Sequence, residues 1–172
     1  ADSPWVASRG ITYLANVHRL DAPTSGVLLF ARTRAALIDL AEQFHHRHPA
    51  KAYTALTLGS LPADEVVVDR PIAPSAAHPG RSMIAPSGKP ALTRFTVLER
   101  FRGYTLVRAE PETGRLHQIR VHLQFIRCSL VGDPQYGPGT PLLLSRIKPD
   151  YRMKLEGEKP LIGRAALHAE SL

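Results

Sequence analysis

Apolar positions along this chain change period several times, and each change marks an element. Val27-Leu28-Leu29-Phe30-Ala31 is an unbroken apolar run behind a turn set by Pro23 and Gly26, which predicts a short strand buried on both faces. Leu37, Ile38, Leu40, Ala41 and Phe44 then recur at helical spacing. Thr33 is a suitable cap at the start of that amphipathic helix, and Pro49 stops it. Residues 51–58 are rich in β-favouring side chains and close at Gly59, and Val66-Val67-Val68 predicts a further short strand. Between Pro71 and Pro90, proline, glycine and serine dominate, so a long surface loop is expected. Residues 92–98 and 104–109 flank Glu99-Arg100-Phe101-Arg102-Gly103 and predict an antiparallel hairpin, with Gly103 relieving the turn. A helix is expected from near Arg115, with Leu116, Ile119, Leu123 and Ile126 on one face and Cys128 within it. Residues 132–164 are again rich in proline and glycine, and Arg164-Ala165-Ala166-Leu167-His168-Ala169 closes the pattern. No repeat or linker divides the chain, strands outnumber helices and hairpins dominate. The expected fold is α+β, a single domain over residues 1–172 with a mixed, mainly antiparallel sheet and flanking helices.

Composition adds a partner to this picture. The 172 residues are 44% hydrophobic, enough for a real core, and carry a formal net charge of +7. Of the 22 basic residues 17 are arginine and 5 lysine, a bias toward the planar fork that grips phosphate and stacks on bases. A polyanion such as nucleic acid is the partner this balance favours, although an arginine-rich, alanine-rich genome would produce the same bias. Cys128 is the only cysteine, so a disulfide framework or cysteine-based zinc site is excluded and a reducing cytosol is expected. No apolar stretch approaches the ~18 residues that cross a bilayer, and the first residues lack a signal peptide's order. A soluble, cytoplasmic protein is expected, with no membrane association. Residue 1 is alanine, from which further sequence upstream is expected.

Two segments carry candidate chemistry. In His18-Arg19-Leu20-Asp21-Ala22-Pro23-Thr24-Ser25-Gly26 a carboxylate stands between an arginine and a turn, ahead of an apolar run. A nucleophilic carboxylate needs a cation to keep it ionised and a wall to limit water, and this setting offers both. Taken alone, the same residues are only a turn. In Gly114-Arg115-Leu116-His117-Gln118-Ile119-Arg120-Val121-His122-Leu123, Arg120 projects about 40° from Leu116, at the edge of the apolar stripe. An arginine there needs a partner anion, and Asp21 is the candidate; the alternative is a helix whose arginines face solvent or RNA. His117 and His122 are five apart, which does not match an i, i+4 metal pair. His45, His46 and His48 read as a solvated helix end compatible with the helix dipole.

In these residues the chain resembles the RluA-type pseudouridine synthases, RNA-modifying enzymes that isomerise uridine. His18-Arg19-Leu20-Asp21 with Thr24-Ser25-Gly26 is similar to that family's aspartate motif, and Lys51-Ala52-Tyr53 to its Lys-x-Tyr strand. Residues 114–122 resemble its arginine motif, Gly132-Asp133-Pro134-Gln135-Tyr136-Gly137 the turn that follows, and Ala166-Leu167-His168-Ala169 the closing segment. The resemblance covers residues 18–169 in order. It implies a pseudouridine synthase catalytic domain, no metal or organic cofactor, ribosomal or transfer RNA as partner, and no obligate protein partner. It implies Asp21 as the catalytic carboxylate, Arg120 as its ion-pair partner and Tyr53 against the uracil ring. Arg19 would fill the space a flipped base leaves, and Lys51, Arg115, His117 and the loop arginine Arg81 would contact substrate. The family's upstream Lys-Pro strand, its strand after the closing segment and its small auxiliary RNA-binding domain have no counterpart here, so a catalytic domain incomplete at both ends is expected. A non-catalytic RNA-binding or ribosome-assembly module is the alternative from another class. A serine hydrolase using Ser25 lacks the Gly-x-Ser-x-Gly elbow.

Overall fold

A computed structural model describes residues 4–46, 48–148, 150–152 and 157–172. A short helix α1 (Pro4–Ala7) precedes three two-residue strands, β1 (Ala15–Asn16), β2 (Ser25–Gly26) and β3 (Phe30–Ala31), and helix α2 (Arg34–His45). Strands β4 (Ala52–Leu58), β5 (Glu65–Asp69), β6 (Ile72–Pro74), β7 (Ser82–Ile84), β8 (Leu92–Phe101) and β9 (Tyr104–Pro111) follow. Helix α3 (Gln118–Phe125) and strand β10 (Leu167–Ser171) complete the order. Six strands form the main sheet, in the order β2-β10-β4-β9-β8-β5. Among the described residues, only the β2–β10 pair is parallel. The mixed, mainly antiparallel sheet expected from the hairpin pattern is therefore present.

Side-chain alternation sets the core. Along β9, Thr105, Val107, Ala109 and Pro111 are buried and the residues between them are partly exposed, so one sheet face is covered. Phe95, Val107 and Ala109 on that face meet Ile119 and Leu123 of α3, with Leu130 and Leu167 closing the cluster. The β8–β9 hairpin turns at Arg102 and Gly103, whose φ of 83° is the left-handed conformation the sequence provided for.

Four expectations need correction. The run 27–31 is not a doubly buried strand. Val27, Leu28 and Phe30 are 43%, 40% and 45% exposed, and only Ala31 is buried. The reason is a change of partner within the run: Val27 N–H donates to Ala169 O, the chain then leaves β10, and β3 pairs with β1 instead. The Pro- and Gly-rich segment 71–90 holds the antiparallel pair β6–β7, which packs on α3 through Ile72, Val121 and Tyr136. Helix α3 begins at Gln118, so Leu116 lies outside it and is exposed; Gln118 through Leu123 are all buried, not merely one stripe. Its C-cap is Ile126, and Cys128 is buried beyond the helix, not within it. Helix α2 starts as expected, with Thr33 Oγ1 accepting from Ala36 N–H at 3.1 Å. It buries no residue completely, and Ile38 is exposed.

Candidate active site

The Asp21 turn is held from the chain's far end. Thr24 N–H donates to Asp21 O at 2.8 Å and closes the turn. From the segment before β10, Arg164 Nη1 donates to Pro23 O, Ala165 O and Leu167 O, and Arg164 Nη2 donates to Ser25 Oγ at 2.6 Å. Ser25 Oγ is also hydrogen-bonded to His168 Nδ1 at 2.8 Å. Gly26, at φ 124°, runs so close to β10 that a Cβ there would fall 2.1 Å from Ala169 O. On the turn's other side, His18 Nε2 accepts from Leu29 N–H at 3.1 Å and stacks on Phe44.

Arg120 comes to this turn from α3. Its side chain is 2% exposed, fully inside rather than at the edge of a stripe. Asp133 grips it as a fork: Arg120 Nε donates to Oδ2 at 2.7 Å and Nη2 to Oδ1 at 2.8 Å. Nη2 also donates to Gln135 Oε1 at 2.7 Å, and the guanidinium lies 4.8 Å over the Tyr136 ring. What remains, Nη1, reaches Asp21 Oδ2 at 3.4 Å. Arg120 therefore meets Asp21, as the sequence led us to expect, but its main anion is Asp133. Burial opposes the charge on Arg120, yet the hydrogen bonds and charge of Asp133, with that of Asp21, hold its pKa above the ordinary arginine value. Burial likewise opposes ionisation of Asp133, but Arg120 and the backbone N–H groups of Gln135 and Tyr136 lower its pKa. One cation is thus largely neutralised by a buried carboxylate and offers one N–H to the second, partly exposed one.

Tyr53 on β4 and His117 at the start of α3 complete the surroundings. Burial, and then the negative charge of Asp21, raise the Tyr53 pKa. His117 takes the left-handed conformation, φ 57°, at the N-cap of α3. Its Nε2 is 4.0 Å from Asp21 Oδ1 and its Nδ1 is 2.8 Å from the Tyr136 hydroxyl. Burial lowers its pKa more than Asp21 raises it.

These groups line a cavity of about 790 Å³. Asp21, Tyr53, Arg120, Arg19, Lys51, Arg115 and His117, the site residues read from sequence, all face it. Arg81 does not; it sits in the β6–β7 turn. Thr24 Oγ1 is the one buried side-chain oxygen or nitrogen without a hydrogen-bond partner among the described residues, and Thr24 lines the same cavity. Sequence reasoning gave no role to Asp133, Gln135, Tyr136 or Arg164. The available signal was chemical: an arginine with several N–H donors on a buried helix needs more acceptors than one loop carboxylate supplies. Among the described residues, no group of three or more His, Cys, Asp or Glu is arranged to hold a metal ion, and no helix is long and apolar enough to cross a membrane.

Residues 2–125 match the family model described as RNA pseudouridylate synthase. Over 125 residues the chain is 48% identical to ribosomal large subunit pseudouridine synthase D of Nitrosomonas europaea, covering 73% of this chain and 36% of that protein. It is 43% identical, over 73% of its length and 39% of the relative's, to ribosomal large subunit pseudouridine synthase C of Vibrio cholerae. The chain thus spans little more than a third of the curated relatives it matches. Among solved structures, human RNA pseudouridylate synthase domain containing 1 superposes with a TM-score of 0.73 at 30% identity, over 95% of this chain and 64% of that one. Asp133, Gln135 and Tyr136, the inner supports of Arg120, lie beyond the segment that the family model matches.

Proposed function

Because the chain belongs to the RNA pseudouridylate synthase family, we propose that it isomerises uridine to pseudouridine in RNA, with residues 1–172 forming one catalytic domain. The observation that carries this reading is Asp21: a carboxylate at the wall of a roomy cavity, held by one N–H of a guanidinium that Asp133 has already fixed. Large-subunit ribosomal RNA is the proposed substrate, on the names of the relatives. The cytoplasm is the proposed place of action, in keeping with a lone, unpaired Cys128.

The reaction breaks the bond from ribose C1′ to uracil N1, turns the base, and joins C1′ to C5; a proton leaves C5 and N1 gains one. Nothing is oxidised, reduced or hydrolysed. Asp21 supplies the carboxylate that drives departure of the base, by attack at the sugar or by assisting elimination across it. Arg120 aims Asp21 through the hydrogen bond from Nη1. Tyr53, with its proton retained by burial and by the Asp21 charge, lies against the uracil. Arg19, exposed at the rim two residues before Asp21, occupies the gap left in the RNA stack. Lys51 and Arg115 contact phosphate, and His117 contacts the base. The test is Asp21→Ala. It should bind RNA nearly as the parent does while releasing no tritium from RNA labelled at uracil C5. Equal release by variant and parent removes Asp21 from the mechanism.

A further inference from the structure

We propose that Tyr136 holds His117 as its neutral Nε2–H tautomer, and that this N–H is a hydrogen-bond donor to a carbonyl oxygen of the uracil in the cavity. The second half rests on the reading of the cavity as a uridine site; the first does not. It follows from counting protons. Tyr136 is 3% exposed, and its hydroxyl has two partners among the described residues, Ser82 N at 2.7 Å and His117 Nδ1 at 2.8 Å. A backbone N–H can only donate, so the hydroxyl oxygen accepts from Ser82. The phenolic proton then has one place to go, the lone pair of His117 Nδ1. Were Nδ1 protonated instead, the hydroxyl would face two donors and its own proton would be buried without an acceptor, a costly arrangement. The imidazole proton therefore sits on Nε2, which points toward Asp21.

The chain of bonds begins outside the site. Ser82 opens β7, whose hairpin packs on α3, so the β6–β7 pair sets the tautomer of a residue lining the cavity. The groups that face His117 are Asp21, Arg120, Asp133 and Arg19, besides Tyr136. A doubly protonated His117 would add a cation beside Asp21 and compete with Arg120 for its carboxylate. A neutral donor does not. Uracil cut from ribose leaves with negative charge shared between N1 and its carbonyl oxygens, and an N–H at Nε2 stabilises that charge without surrendering its proton.

Two measurements decide the matter. In protein with nitrogen-15 histidine, correlation of the ring nitrogens with the ring hydrogens should show a pyridine-like Nδ1 and a pyrrole-like Nε2 for His117 at neutral pH. Tyr136→Phe should convert this to a tautomer mixture. A pyrrole-like Nδ1, or an imidazolium, in the parent overturns the assignment. For the donor role, the amide nitrogen of His117→Gln reaches the place of Nε2, whereas that of His117→Asn reaches only the place of Nδ1. On unmodified large-subunit ribosomal RNA tritiated at uracil C5, the Gln variant should keep a kcat roughly tenfold above the Asn variant. A purely structural role reverses the order, because Asn tolerates the left-handed backbone of residue 117 better than Gln. Asn equal to or better than Gln therefore overturns the donor role. If the parent releases no tritium, the functional reading fails and the uracil half falls with it, while the nitrogen spectrum still decides the tautomer.

Discussion

At the scale of single residues, Arg120 and Asp133 set the terms for everything around them. A guanidinium this deeply buried is tolerable only because its charge is matched by Asp133 and its N–H groups by Asp133, Gln135 and Asp21. Asp133→Asn keeps the shape and removes the anion, and should cost about 3–5 kcal/mol in urea unfolding, against about 1 kcal/mol for Gln135→Ala. The pH dependence follows from directions of shift. The Asp133 pKa is lower in the folded protein than its ordinary 3.8, so its contribution is complete above that value and is lost as pH falls through the folded pKa. His122 is buried with Nδ1 against Thr93 Oγ1 and Nε2 against Arg70 O, and burial lowers its pKa from 6.5. Its neutral form is therefore favoured by folding, and stability should begin to fall as pH drops below 6.5, before the loss due to Asp133 sets in. Urea midpoints followed downward from neutral pH should show both losses, and His122→Gln should flatten the upper one. His18 and His117, also lowered, keep it from vanishing. Asp21 and Arg120 were legible in the sequence because each sits in a local pattern of turn or helix. Asp133 was not: nothing local marks a carboxylate after a glycine as the base of a buried fork.

Among elements, the parallel seam between β2 and β10 does most to place the Asp21 turn. Gly26→Ala puts a methyl group into Ala169 O and keeps a backbone conformation that only glycine adopts easily, so the seam must open. The expected cost is about 2 kcal/mol or more, read by thermal unfolding, with faster amide exchange at residues 24–26. Arg164→Lys tests positioning without removing charge. A lysine cannot reach Pro23 O, Leu167 O and Ser25 Oγ at once, so kcat should fall by about tenfold while the melting temperature stays near the parent's. An unchanged kcat would show that the turn holds its place without the fork. Elements with a strong period were legible: β4, the β8–β9 hairpin, and the start of α2 at Thr33. Strands β6 and β7 were not, since three residues each among prolines and glycines carry no period to read. The run 27–31 misled for another reason. An apolar run says that a segment suits a core, whereas burial depends on what packs over it, and here the chain exchanges one strand partner for another within five residues.

For the molecule as a whole, the net charge of +7 named a polyanionic partner but not a face, and only the fold decides which arginines are available. On the far strands they are matched: Arg94 with Glu112, Arg100 with Asp64, and Arg108 with Glu110. At the cavity Arg19, Lys51 and Arg115 come from three separate segments and converge around Asp21, whose own charge is shared with the Arg120–Asp133 pair. Charge and periodicity alone could not report that convergence, which only the motif resemblance implied, because it arises from β4 lying beside β10 and from α3 crossing the sheet face that both strands share. If the converging cations hold RNA phosphates, each releases counterions on binding, and the slope of log affinity against log salt counts them. Lys51→Ala should then reduce that slope by about 0.7 and weaken binding to any RNA of similar structure. Arg100→Ala, on β8 and away from the cavity, should leave the slope unchanged. Arg19→Ala separates two roles of one side chain: a phosphate contact would reduce the slope as Lys51→Ala does, whereas a wedge would lower kcat at saturating RNA and spare the slope. Filter-binding titrations across a salt series, run beside single-turnover tritium release, distinguish these outcomes. Equal slopes for the Lys51 and Arg100 variants would place the RNA on a different face of the sheet.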